Sequence, residues 1–156
     1  MNVLWRIAVE TPAYPASDLS GTGARITGGR WNSKGAPVVY CSTSIALATL
    51  ETVHYLRGGG LPFNRYLVRI AIPDGVWNAR QVLDPFPGGW DAIPAGLAGK
   101  RAGDGWIAAG KSALLLVPSV IVPDEYNVLL NPRHADAAAV TASTVRRWSY
   151  DPRFFP

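Results

Sequence analysis

The sequence predicts an α+β fold, a single domain on a mixed or antiparallel sheet with a few helices, and three observations predict it. Short β-rich runs outnumber helical stretches and do not alternate regularly with them, which disfavours a doubly wound sheet. The length of 156 residues suits one hydrophobic core. Hydrophobic residues make up 48% of the chain, enough to fill that core, while 16 Gly and 13 Pro call for many turns.

The elements follow in order. Val3 to Val9 reads as a first strand, and the Gly-, Ser-, Thr- and Pro-rich stretch from Glu10 to Lys34 as a long loop, a length that usually signals function. Pro37 introduces the strand Val38–Cys41. Ser42-Thr43-Ser44 then offers N-caps to a helix beginning at Ile45. Ile45, Ala48, Thr49 and Thr52 share one face and Leu47, Leu50 and His54 another, so this helix is expected to be mostly buried and to end near Arg57-Gly58-Gly59-Gly60. Alternation from Phe63 to Ile72 predicts a strand, closed by a Pro73-Asp74-Gly75 turn. Gln81 to Leu83 is a further short strand, and Gly103 to Gly110 a short helix bounded by glycines. Ala113–Val117, Ser119–Val122 and Tyr126–Leu130 complete the expected strands, with Asn131-Pro132 ending the last.

Composition excludes several function classes. The longest aliphatic run stops at Pro118, far short of the roughly 20 residues of a membrane span. The N-terminus lacks a basic leader followed by an apolar region, so a cytoplasmic protein is expected. Cys41 is the lone cysteine and only His54 and His134 accompany it, which leaves neither a disulfide nor a zinc spacing. The net charge of +4 comes from scattered residues, with Lys100-Arg101 and Arg146-Arg147 as the densest groups, and these read as solvated surface. Trp77, Trp90, Trp106 and Trp148 read as core or interface anchors.

The glycine-rich stretch Ser20–Asn32 invites comparison with phosphate loops and fails both tests. A dinucleotide fingerprint from Gly21 needs Gly where Ile26 stands, and a triphosphate loop from Gly23 needs Lys where Gly29 stands. What remains is a loop that delivers Arg30, then Tyr40 on a strand, then Glu51 on a helix, at steps of 10 and 11 residues. A guanidinium grips phosphate oxygens, an aromatic face stacks on a flat cationic ring, and a carboxylate stabilises a developing cation. Together these suit cleavage of a nicotinamide–ribose bond. The same three residues also read as a surface arginine, a core aromatic and a solvated helix charge, but a carboxylate inside an apolar helix needs a partner or a pocket.

The sequence resembles the RES-domain family, the toxins of bacterial RES-Xre toxin–antitoxin modules. The resemblance is carried by Trp5-Arg6-Ile7, Gly28–Gly35, Val38–Ser42, Ala48–Glu51, Val117-Pro118-Ser119 and Glu125–Pro132. It implies an ADP-ribosyltransferase-like sheet and an enzyme that degrades NAD+ by hydrolysis or by phosphorolysis with inorganic phosphate, arresting growth. Protein ADP-ribosylation is the alternative within that class, and a non-catalytic basic nucleic-acid-binding module is the alternative outside it. The family's Arg, Glu and Ser fall on Arg6 or Arg30, Glu51 and Ser119. Catalytic roles are expected for Glu51, Arg30 and Tyr40, and substrate contacts for Arg6, Trp31, Asn32, Ser119 and Asn127. No metal or bound cofactor is expected, NAD+ being the substrate. The expected partners are an Xre-type helix-turn-helix antitoxin that blocks the active-site mouth and a second copy of the toxin, with neither nucleic acid nor membrane. His54 is read as a packed helix residue.

Overall fold

A computed structural model describes residues 1–56 and 62–155. Its frame is a seven-stranded sheet made of β1 (Asn2–Val9), β2 (Val39–Ser42), β3 (Arg65–Ile72), β4 (Gln81–Val82), β5 (Leu114–Pro118), β6 (Tyr126–Leu130) and β7 (Thr141–Arg147). The order is β4-β5-β6-β2-β1-β3-β7, antiparallel except for the β4–β5 pair. Four α-helices join them: α1 (Thr22–Thr27), α2 (Ile45–Val53), α3 (Asp74–Asn78) and α4 (Leu97–Ala109). The expected α+β class holds. Among the described residues no helix is long and apolar enough to cross a membrane.

Strand alternation divides the core between the two faces of the sheet. Leu4, Val39, Val68, Ile70, Ile72, Val128 and Leu130 pack on one face. The other face carries two clusters, one of Trp31, Leu115, Val117 and Leu129 with Trp106 and Ile107 from α4, and one of Ile7 and Leu67 with Ala48 from α2 and Tyr150 from beyond β7. On that second face the two clusters lie on either side of the β1–β2 seam. β1 pairs with β3 in unbroken register from Asn2↔Ile72 to Val9↔Arg65, yet pairs with β2 only at Trp5↔Ser42.

Several elements differ from the sequence reading. The long loop contains α1, which ends at Gly28, a residue whose φ of 69° suits glycine. Asp74-Gly75 opens α3 instead of a turn, with Asp74 in its first turn. The α4 helix begins six residues before Gly103, because its glycines are contact points and not boundaries. Ser119–Val122 is a turn, the Ser119 hydroxyl accepting from the Val122 N–H at 3.0 Å. The stretch past Asn131, left without elements by pattern alone, supplies a 3₁₀ turn at Ala135–Ala139 and the edge strand β7. The expected glycine end of the second helix lies outside the described residues. That helix is also less buried than expected, since only Leu47 and Ala48 are fully enclosed.

Candidate active site

Where β1 and β2 part, a cavity of about 1090 Å³ opens, slightly above the roughly 300–1,000 Å³ usual for small-molecule sites. Arg6 to Val9 line it from β1, Tyr40 to Ser42 from β2, and Glu51, Thr52 and His54 from α2 and the turn after it. Gly28–Trp31, Ile93–Ala95 and Lys100 line it as well. Most of the sequence-predicted residues meet here: Arg6, Arg30, Trp31, Tyr40, Glu51 and Asn127 all face one space.

Glu51 is placed by both sequence neighbours and distant strands. Ser44 caps α2 by accepting from the Leu47 N–H at 3.1 Å, which starts the helix so that Glu51 falls on its half-buried, cavity-facing side. Its Oε1 then accepts from the Ser119 hydroxyl and from Asn127 Nδ2, each at 2.6 Å. Asn127 is held in turn by the Ser42 hydroxyl, which donates to Oδ1 at 2.7 Å. Two donors on one oxygen fix the carboxylate, and Oε2 accepts nothing from the described residues. Charge-assisted bonds of this kind are short and strong. Ser119 is fully buried and does not line the cavity, and its hydroxyl is spent on Glu51.

The Gly-Gly-Arg-Trp-Asn loop owes its shape to Asn32, also fully buried and behind the cavity wall. Asn32 Nδ2 donates to the carbonyls of Ala24 and Ala36, at 2.8 and 3.0 Å, and Oδ1 accepts from the Tyr40 hydroxyl at 2.6 Å. The same hydroxyl accepts from the Trp31 N–H at 3.0 Å, so what Tyr40 presents to the cavity is its ring. Trp31 stacks on Trp90 at 6.3 Å between centroids. Arg30 Nη1 donates to the Trp90 and Ala92 carbonyls at 2.8 and 2.9 Å. That nitrogen anchors the segment carrying Ile93–Ala95, while Arg30 itself lines the cavity.

Arg6 and Cys41 are neighbours across the parting strands. Arg6 Nε is enclosed without a hydrogen-bond partner. Burial pushes the guanidinium below its ordinary value, while Cys41, Asp18 and Tyr14 pull it the other way. Burial likewise pushes the Cys41 thiol up to about 12, against the lowering pull of Arg6. A half-buried guanidinium whose enclosed Nε has an unmet donor, on a cavity wall, is suited to an anion.

Lys100 was missed by sequence reasoning, which took Lys100-Arg101 for solvated surface. Its ammonium lines the cavity and donates to the Gly29 carbonyl. The signal lay in Gly99 and Gly103. A Cβ on Gly103 would stand 1.7 Å from the Trp31 carbonyl oxygen and one on Gly99 2.7 Å from that of Arg30, so α4 lies directly on the loop backbone and carries Lys100 to the wall. Asp104 completes the contact by accepting from the Ser33 N–H at 2.9 Å.

The RES domain family profile matches residues 3–152. The chain belongs to the RES domain family. It is 55% identical over 151 residues to the Prs ADP-ribosylating toxin of a Sphingobium species, covering 96% of this chain and 94% of that one. To the Toxin Res of Yersinia enterocolitica it is 36% identical over 97% of this chain and 98% of the relative, and to that of Pseudomonas putida 37% over 98% and 99%. Among solved structures, the Mycobacterium tuberculosis MbcT-MbcA toxin–antitoxin complex matches with a TM-score of 0.62 at 17% identity, over 97% of this chain and 85% of that one. The protein is thus a RES-domain toxin, and the fold described above is one found in a toxin crystallised with its antitoxin.

Proposed function

We propose that this RES-domain toxin is an NAD+-acting enzyme that breaks the nicotinamide–ribose bond and transfers ADP-ribose to a protein side chain. The observation that carries the reading is Glu51, whose Oε1 is pinned by Ser119 and Asn127 while Oε2 is left to the cavity. The bond between the anomeric carbon and the pyridinium nitrogen breaks with its electron pair going to nicotinamide, which leaves neutral. The ribose becomes an oxocarbenium-like cation, and the preorganised carboxylate stabilises that charge more than it stabilises the ground state. The acceptor's nucleophile closes the new bond at the anomeric carbon and gives up its proton. Arg6 holds a phosphate of the dinucleotide, the Tyr40 ring lies against the nicotinamide, and Trp31 with Arg30 fixes the wall that they line.

The sequence alone ranks hydrolysis or phosphorolysis ahead of protein modification. The 55% identical relative is named for ADP-ribosylating Prs, and this reverses the order. The partner is an antitoxin, proposed on the fold shared with the toxin of the MbcT-MbcA complex and on family membership. The Xre type and the toxin dimer implied by the resemblance belong to the same proposal.

Purified toxin incubated with Prs and adenine-labelled NAD+ should release nicotinamide and leave the label on Prs. Glu51→Gln should slow both by roughly 100-fold or more, the usual cost of removing one preorganised electrostatic contact. Label recovered as free or phosphorylated ADP-ribose would make water or phosphate the acceptor. Absence of nicotinamide release would overturn the enzymatic reading.

A further inference from the structure

The NAD+ reading calls for cations around a pyrophosphate that carries two negative charges. Arg6 and Arg30 both line the cavity, and Arg30 Nη1 is held by two carbonyls of its own chain. We propose that Lys100 is a further cation of the dinucleotide site, holding the pyrophosphate together with Arg6. The proposal rests on the NAD+ reading and adds a binding residue to it.

Three features of the structure support Lys100. Its side chain lines the same cavity as Arg6 and Glu51, whereas Arg101 beside it is exposed and does not. Its ammonium has three donors and gives one to the Gly29 carbonyl, which orients the head toward the glycine loop. It forms no ion pair with any described carboxylate, the ion pairs present being those of Met1 with Asp74, His134 with Asp136 and Arg153 with Asp151. A compact ammonium with rotatable donors suits phosphate oxygens whose positions shift as a bond breaks nearby. The Gly99–Gly103 contact holds the backbone of Lys100 beside the loop, because the helix that carries it is seated on the loop backbone.

The test measures binding, so that it does not depend on turnover. ADP-ribose and nicotinamide riboside, which lacks the pyrophosphate, are titrated into Glu51→Gln and into Glu51→Gln with Lys100→Met or Lys100→Arg. Lys100→Met should weaken ADP-ribose roughly tenfold or more and leave nicotinamide riboside unchanged, Lys100→Arg should restore most of the loss, and the Lys100-dependent part should shrink as salt rises. Equal weakening of both ligands, or of neither, would overturn the proposal by making Lys100 a clamp on Gly29 alone. Failure of ADP-ribose to bind even with Lys100 intact would overturn it together with the NAD+ reading. Lys100-dependent ADP-ribose binding in a protein that releases no nicotinamide would sustain the site and refute only the enzymatic step.

Discussion

Cys41 makes a pH-dependent contribution that can be isolated. Its thiol is held at about 12 in the folded chain, above its ordinary value, so between pH 9 and that point the folded state keeps a proton that the unfolded state releases. Stability therefore falls as pH rises through this window, by about 1.4 kcal/mol per pH unit from this one group. Denaturant unfolding at pH 8, 9 and 10 should show the decline, and Cys41→Ala should remove that share of the slope. The same burial keeps the thiol protonated at neutral pH, and iodoacetamide should label it only on unfolding. Tyr40 and Glu51 were legible as members of one site from residue type and order, and both line the cavity. The bonds that Asn32, Ser119 and Asn127 make to Tyr40 and Glu51 were not legible, because they join side chains distant in sequence that no local pattern relates.

At the level of elements, α4 shows how one residue type carries opposite meanings on one helix. Gly103→Ala would place a methyl group against the Trp31 carbonyl and should cost about 3 kcal/mol or more, read as a lowered denaturation midpoint with lowered NAD+ turnover. Gly105 faces open space on the same helix, and Gly105→Ala should raise stability by about 0.5–1 kcal/mol. Pattern reading put the helix start at Gly103 because glycine ordinarily punctuates. It failed for the opposite reason at Ser119–Val122, where β-branched residues occupy a turn that the Ser119 hydroxyl organises. The strands β1, β2, β3, β5 and β6 were readable because alternation and turn residues marked them, while β7, almost wholly exposed, has no apolar alternation to show.

Across the whole molecule, the segment after β7 returns to the site. Tyr150 is buried against Ile7, Ala48 and Leu67, and its hydroxyl shares a 2.8 Å hydrogen bond with Thr52, the residue after Glu51. Tyr150→Phe should cost about 1 kcal/mol of unfolding free energy while leaving the cluster packed, and Tyr150→Ala several times that. The larger consequence concerns the single β1–β2 contact. One ladder carries β4, β5, β6 and β2 and the other β1, β3 and β7, joined in register only at Trp5↔Ser42. In its hydrogen bonding such a sheet is two leaves on one rivet, with one apolar cluster of Leu4, Val39, Val68 and Val128 spanning both, and the cavity opens between β1 and β2. A dinucleotide bridging Arg6 on one leaf to the Gly28–Trp31 wall beside the other would act as a second rivet. Amide exchange along Arg6–Val9 and Val39–Cys41 should then slow together when NAD+ is added.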